Sequence, residues 1–203
     1  PNEFLEAYFP LRIRTYATIP DSGGAGVHRG GNGVSMAYEF LADGEVSIHD
    51  DRWLTYPWGV NGGEPGMRST KRLVRTDGTE ENIPSKCDRI KVAPGDILHF
   101  NTWGGGGWGD PLERPAEKVL DDVNRGLVTV EGAKRYGVVI SRGKVDKTGT
   151  DKLRAEMAKS RRDTGLFNRA FESLEELKGR CKAETGFEPP REPEFFMQKA
   201  AAE

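Results

Sequence analysis

The residues best suited to chemistry lie in a glycine-rich string at positions 21–33, in which six of the thirteen residues are glycine. Glycine backbone leaves its N–H groups open, and a guanidinium fork suits oxyanions, so Ser22 and Arg29 beside this backbone could cradle a phosphate or a carboxylate. No Lys-Ser/Thr follows the string and no helix opens on it, which excludes the phosphate-binding loop of nucleotide hydrolases. Residue chemistry alone favours a structural loop over an anion site.

Two further glycine strings follow at 56–66 and 101–111. In the first, Trp58 lies between Pro57 and Gly59, where it could line a ligand pocket or stabilise a turn. The turn-stabilising role is favoured. The second contains the four successive residues Gly104 to Gly107 and then Asp110. Ordering so much glycine is entropically expensive, which predicts a close backbone approach to a ligand or to another chain, and both alternatives stay open.

Other reactive residue types are scattered. His28, His49 and His99 lie far apart, and no His or carboxylate cluster has the short spacing of a metal-ligand motif. Ser22 has no base near it in sequence, and Cys87 shows no sign of activation. The sequence therefore predicts no metal site and no self-sufficient active site, and it assigns no catalytic residue.

The elements that position these strings are mostly strands. Apolar and polar residues alternate at 11–19 and 34–40, and Asp43-Gly44 is typical of a turn that would pair the second run with 45–49 as a hairpin. More turn signals at 61–63, 77–78 and 94–96 separate short apolar runs. Short strands at this spacing predict an antiparallel sandwich or a barrel-like domain.

After Asp110 the pattern becomes helical. Pro115 fits the first turn of a helix that runs to about Asn124 and ends at Gly126. Thr129 is placed to cap a second short helix that stops at Gly137, after which residues 138–140 would return to the sheet. We therefore predict an α+β fold, in which a predominantly antiparallel β domain with short helices spans residues 1–140.

Residues 141–203 are predicted to form a helical and extended C-terminal arm. Two helix-like pieces cover about 151–161 and 166–182, and a stretch with three prolines from Phe187 is expected to run extended along a surface. Helical spacing gives the second piece an apolar stripe, which would dock on a partner or fold back on its own domain. The stripe consists of Phe167, Phe171, Leu174 and Leu177.

Composition limits the possible partners and compartments. The chain has 203 residues, and 30 Lys and Arg stand against 32 Asp and Glu, so a net charge of -2 gives no attraction to nucleic acid or to anionic membrane. Two distant cysteines fit a reducing, cytoplasmic setting, and no apolar run reaches the roughly 18 residues that a membrane span needs. The chain opens on Pro1, which leaves a processed protein and a piece of a longer one as alternatives.

Six motifs in order carry a family resemblance from Glu3 to Ile140. They are Phe9-Pro, Asp21-Ser-Gly-Gly-Ala-Gly with Arg29-Gly-Gly, Pro57-Trp-Gly with Asn61-Gly-Gly, Pro94-Gly-Asp, the string from Gly104 to Pro111, and Tyr136-Gly-Val-Val. Together they resemble the C-terminal portion of the hydantoinase B/oxoprolinase family. The chain is also similar to the corresponding part of acetone and acetophenone carboxylase subunits.

The resemblance implies one non-autonomous part of an ATP-dependent enzyme that opens cyclic amides, or alternatively a subunit of an ATP-dependent ketone carboxylase. Its partners would be a larger hydantoinase B-type chain, an actin-like ATPase chain of the hydantoinase A type and a small-molecule substrate. This chain alone would bind no cofactor, because the resemblance places ATP with Mg and a divalent metal in the partner chains. A structural scaffold chain of such a hetero-oligomer is the third alternative.

The resemblance also suggests which loops matter. They would shape the substrate site or the interface with the missing part of the enzyme, and no catalytic role is carried over to any of them. The residues are Asp21, Ser22, Gly23, Gly24, Arg29, Trp58, Gly104, Gly105, Gly106, Gly107 and Asp110.

Overall fold

The computed structural model describes residues 1–161, 163–171 and 173–189. Its named strands pair antiparallel with one another, and its helices are short, so the α+β class predicted from the sequence is confirmed. Two 3₁₀ helices, at Pro111–Glu113 and Gly132–Tyr136, accompany the regular elements. Those elements are α1 Asn2–Tyr8, β1 Leu11–Thr18, β2 Val34–Phe40, β3 Gly44–His49, β4 Gly59–Val60, β5 Thr70–Val74, β6 Glu80–Asn82, β7 Lys86–Val92, β8 Ile97–Asn101, α2 Ala116–Asn124, β9 Ile140–Ser141, β10 Lys144–Val145, α3 Lys147–Ser160, β11 Phe167–Asn168 and α4 Leu174–Thr185.

The main β layer is a five-stranded sheet in the order β1-β2-β8-β5-β6. A ribbon of β3 and β7 covers it, and the two layers share one apolar core because their alternate residues face each other. Strands β1 and β6 are open edges among the described residues, so the barrel-like alternative is wrong. The core residues are Ile48, Leu73, Ile83, Val92 and Leu98.

The predicted hairpin between 34–40 and 45–49 is wrong, although both strands form. Strand β2 pairs with β1 on one side and with β8 on the other, so neither edge is left for β3. The turn at Asp43 instead carries the chain out of the sheet and into the ribbon, where Gly44 pairs with Val92 and His49 with Lys86. A local turn signal cannot show that more distant strands take both edges.

The helical part forms as predicted, around a second core. Helix α2 directly follows Pro115 and is terminated by Gly126 at φ 69°, while the Thr129 hydroxyl accepts from Gly132 N and Gly137 ends that turn at φ 65°. The predicted return of residues 138–140 to the sheet is wrong, because Ile140–Ser141 pairs only with Lys144–Val145 in a separate ribbon. The second core contains Ala25, Val119, Val128, Ala133, Tyr136 and Val138.

The described part of the C-terminal arm folds back on the rest of the chain. The predicted stripe is wrong in part, because Phe167 belongs to a strand that pairs with Val60 and Phe171 precedes α4, so neither lies on a helix. Leu177 and Cys181 on α4 are buried, and the Tyr56 hydroxyl donates to Glu184 at 2.6 Å. The extended stretch predicted from Phe187 continues into 190–203, outside the described residues. Division of the chain at residue 140 stays a prediction.

None of the helices within these described ranges is long and apolar enough to cross a membrane.

Candidate functional site

The three glycine strings pack against one another, backbone on backbone, and we call this arrangement the glycine stack (21–33, 56–66 and 101–111). Hydrogen bonds between main-chain atoms join the strings: Gly24 N donates to Gly105 O at 2.8 Å and Gly107 N to Glu64 O at 2.9 Å. Glu64 N in turn donates to Ala25 O at 2.7 Å. The strings therefore satisfy their own peptide groups, as ordered and largely buried backbone must.

Side chains are excluded from the stack by distance. A Cβ atom added to Gly104 would lie 1.9 Å from Ser22 O, and one added to Gly106 would lie 1.7 Å from Trp58 O. Real Cβ atoms do not approach backbone oxygen so closely. The close approach was predicted to involve a ligand or another chain, but at these glycines it takes place between segments of this one chain. The same holds at Gly23, Gly24 and Gly107.

Asp21 and Ser22, two of the predicted site residues, hold the first string in place. The Asp21 carboxylate accepts from Thr129 N at 2.9 Å and from the Thr129 hydroxyl at 2.6 Å, which fixes the turn that opens the second core. The buried Ser22 hydroxyl donates to Ile19 O at 2.6 Å and accepts from Gly33 N at 2.8 Å. Both side chains are engaged within the fold.

Arg29 is also engaged. Its guanidinium contacts Asp122 at 3.2 Å and donates to Gly30 O at 2.8 Å, and Arg114 contacts the same carboxylate at 2.8 Å. Two cations thus neutralise the nearly buried Asp122, and the Arg29 guanidinium, which could have bound an oxyanion, is already occupied by a protein carboxylate.

Asp110, at the end of the third string, caps the 3₁₀ helix that follows. Its carboxylate accepts from Leu112 N at 2.7 Å and forms an ion pair with Arg161, just beyond α3. This ion pair is one of the contacts that tie the arm to the glycine stack. It is partly exposed, so its contribution to stability is small, about 0–1 kcal/mol.

Trp58 differs from these residues because its side chain is exposed. Its indole forms an edge contact with the Phe167 ring, at 5.7 Å between centroids, and lies under the guanidinium groups of Arg52 and Arg169 at 5.8 and 5.2 Å. A role in stabilising the turn accounts for the backbone of Trp58, whose carbonyl oxygen packs against Gly106. It does not account for the exposed ring.

The structure also shows a buried polar cluster that was not predicted from the sequence, formed by Asp50, Ser69, Lys71 and Ser85. The Lys71 ammonium donates to Asp50, to Ser85 Oγ at 2.6 Å and to Ser69 Oγ at 3.1 Å. A signal for it exists in the sequence: Lys71 and Leu73 alternate along β5, which places Lys71 on the inward face of the strand, and Ser69 precedes the strand two residues before Lys71.

Electrostatics and space decide what this cluster does. Burial lowers the pKa of Lys71, and hydrogen bonding to Asp50 opposes that shift. The adjoining cavity, between Trp53 and Glu184, has a volume of about 50 Å³, which accommodates water but no organic substrate. A lysine beside two serines resembles nucleophilic machinery, but the enclosure favours a structural role for the cluster.

Across the described ranges, no three His, Cys, Asp or Glu side chains come together in a way that could hold a metal ion.

Comparisons with known proteins connect this geometry to a family. The family model of hydantoinase B/oxoprolinase matches residues 1–111, which include all three glycine strings. The B-type component of a putative D-/L-hydantoinase from Pseudomonas sp. (strain NS671) is 35% identical over 158 residues, covering 76% of this chain and 26% of that protein. The matched segment therefore extends beyond the glycine stack.

Two solved structures share the fold. The crystal structure of ATP-dependent caprolactamase from Pseudomonas jessenii superposes with a TM-score of 0.67 at 34% identity, over 76% of this chain and 28% of that one. The nucleotide-free structure of acetone carboxylase gives a TM-score of 0.65 at 22% identity, over 91% and 29%, which shows a common fold alone. This chain spans about a quarter of the length of three curated relatives that it matches. The match over residues 1–111 shows that the chain belongs to the hydantoinase B/oxoprolinase family.

Proposed function

We propose that this chain is one part of an ATP-dependent cyclic-amide hydrolase of the hydantoinase or 5-oxoprolinase type, acting with a larger hydantoinase B-type chain and an actin-like ATPase chain. The observation that carries the proposal is the family match across the whole glycine stack. Relatives named as a hydantoinase subunit, a caprolactamase subunit and a 5-oxoprolinase support the substrate class. The chain covers only part of each of them, so the activity belongs to the assembly.

The proposed division of labour follows from the chemistry. An unactivated amide is a poor electrophile; ATP would supply phosphorylation of its oxygen to make it reactive, and a divalent metal would supply polarisation of the attacking water. ATP with Mg and the metal would be bound by the partner chains. This chain would supply a rigid wall: the glycine stack holds Trp58 and the 104–107 backbone at fixed positions, and rigid positioning is what a shared site requires.

Reconstitution tests the proposal. Addition of this chain to the larger B-type chain and the ATPase chain from the same source is expected to raise ATP-dependent opening of hydantoin, 5-oxoproline or caprolactam by at least about a hundredfold, since an incomplete site positions its substrate poorly. Ring opening is measured by product formation together with phosphate release. If the rate is unchanged and the chain purifies alone, metal-free and monomeric, the proposal is wrong.

A ketone carboxylase is the second candidate, favoured by the shared fold with acetone carboxylase over 91% of this chain. The same reconstituted assembly distinguishes the two. ATP consumption that depends on acetone or acetophenone together with bicarbonate, in the absence of a cyclic amide, would identify the carboxylase.

A scaffold chain is the third candidate, favoured because Asp21, Ser22 and Arg29 all bond within the fold. Arg29→Ala distinguishes it from a chain that shapes the site, and Arg114→Ala is the matched control, since both arginines contact Asp122. For a chain that shapes the site, we expect only Arg29→Ala to lower kcat/KM, by about tenfold or more at intact assembly. If both variants assemble and keep the kcat and KM of the wild type, the chain is a scaffold.

A further inference from the structure

Four residues from four separate segments form one row across the edge of the glycine stack. His28 pairs with Trp108, Trp108 with Val60, and Val60 with Phe167. Residues directly opposite each other on neighbouring strands project their side chains to the same face. We call His28, Trp108, Val60 and Phe167, together with Trp58, the aromatic row.

Ring contacts agree with this backbone pairing. Trp58 lies just before β4, two residues ahead of Val60, and its ring meets Phe167 edge to face, which places it beside the row. The His28 and Trp108 rings lie 5.5 Å apart between centroids. With strands about 4.8 Å apart, the row is about 14 Å long.

The row is exposed and largely apolar. Trp58, Trp108 and Phe167 retain 39%, 48% and 44% of their accessible surface, and His28 is exposed beside them. Isolated exposed apolar residues are common, but a contiguous aromatic patch is typical of an interaction surface. Tryptophan and arginine are the residues that most often dominate binding energy at such surfaces.

Positive charge borders the row. Arg52 and Arg169 lie over the Trp58 ring, and neither has an acidic partner within 1–161, 163–171 and 173–189. A guanidinium beside an apolar patch favours a carboxylate on the partner, because charge-assisted hydrogen bonds are about twice as strong as neutral ones. A second copy of this chain would bring its own arginines to the same face, which disfavours self-association.

We propose that the aromatic row, with Arg52 and Arg169, is the docking surface for a carboxylate-bearing segment of the larger hydantoinase B-type chain, an inference that rests on the proposed function. This chain covers 26% and 27% of the hydantoinase and caprolactamase relatives. The remainder of such a protein is the body available to cover the row. Docking there places the glycine stack, which carries Trp58, directly against the larger chain.

The test is a binding titration of the full chain with the larger B-type chain purified from the same source. Trp108→Ser combined with Phe167→Ser is expected to weaken binding by about thirtyfold or more, as loss of central aromatic contacts does. Trp103→Ser is the matched control, because Trp103 is 40% exposed but forms none of the row's pairs; its Kd is expected to stay within about twofold. Unfolding curves of each variant verify the fold.

Charge is tested separately. Arg52→Gln combined with Arg169→Gln is expected to weaken binding by about tenfold and to reduce its salt dependence, since the partner's carboxylates lose their cations. Unchanged affinity in this variant overturns the proposal that the partner's docking segment bears carboxylates. Unchanged affinity in the Trp108 and Phe167 variant overturns the docking surface.

Two outcomes separate this inference from the proposed function. If the wild-type chain binds and restores ring opening while the row variants behave as wild type, the docking surface alone is wrong. If the wild-type chain neither binds the larger chain nor changes its rate, the proposed function itself fails. Sedimentation that shows a dimer abolished by the row variants would assign the face to a second copy instead, and would equally overturn the inference.

Discussion

Gly30→Ala is expected to destabilise the fold strongly, whereas Gly31→Ala, one residue later, is expected to leave its stability nearly unchanged. A Cβ at Gly30 would lie 2.0 Å from Gly105 O, and a Cβ at Gly31 would have nothing within 4 Å. Overpacking usually costs about 1–3 kcal/mol, and here the obstacle is backbone that other strings hold from both sides, so we expect more than about 3 kcal/mol. A domain with about 5–15 kcal/mol of stability loses much of it.

Urea unfolding followed by circular dichroism and tryptophan fluorescence measures both substitutions. Gly31→Ala is expected within about 1 kcal/mol of the wild type, because removing a glycine also restricts the unfolded chain. Equal stability of the two variants would show that the strings can separate, and that the glycine stack is not tightly packed.

The second large effect is expected from Lys71→Met. The side chain of Lys71 is 1% exposed and that of Asp50 4% exposed, so Asp50 would keep a buried charge with no cation beside it. Removal of one member of a buried ion pair costs about 3–5 kcal/mol. Burial lowers the pKa of Lys71, so the unfolded chain binds its proton more readily, and wild-type stability should rise with pH between the folded-state pKa and the ordinary lysine value of 10.5.

Two further variants serve as controls. Lys86→Met removes an exposed pair with Asp51, whose side chains are 55% and 78% exposed, and is expected to cost less than about 1 kcal/mol. Lys71→Met combined with Asp50→Leu removes both charges and should recover much of the loss, because apolar replacement of a buried pair is often tolerated. If Lys71→Met alone were as stable as the wild type, the Lys71–Asp50 pair would be open to water.

Local signals predicted much of the fold correctly. Helix α2 and the capped turn at Thr129 follow from Pro115, Gly126 and Gly137, whose backbone preferences act within a few residues. Alternation likewise predicted β2 and β3. The pairing of the strands did not follow from these local signals. The partner of β3 is β7, about forty residues away, and the turn at Asp43 contains no information about it.

The candidate site was predicted less completely, for a related reason. The glycines indicated a close backbone approach, but the sequence pointed to a ligand or another chain, whereas the approaching backbone belongs to the same chain. Asp21 and Arg29 were selected as site residues because of their neighbours in sequence, and their partners, Thr129 and Asp122, lie more than ninety residues away. Contacts at that separation are decided by tertiary packing, not by local motif.

The glycine stack also constrains how the chain reaches its folded state. Its three strings are separated by tens of residues, and glycine loses more backbone freedom on ordering than any other residue. Closing those loops costs entropy before any contact compensates for it, so the stack is a poor folding nucleus, and local pairs such as β1 with β2 are better placed to form first. During synthesis the chain must emerge beyond residue 109 before the stack can close, so the first two strings remain without their packing partner until the third string arrives.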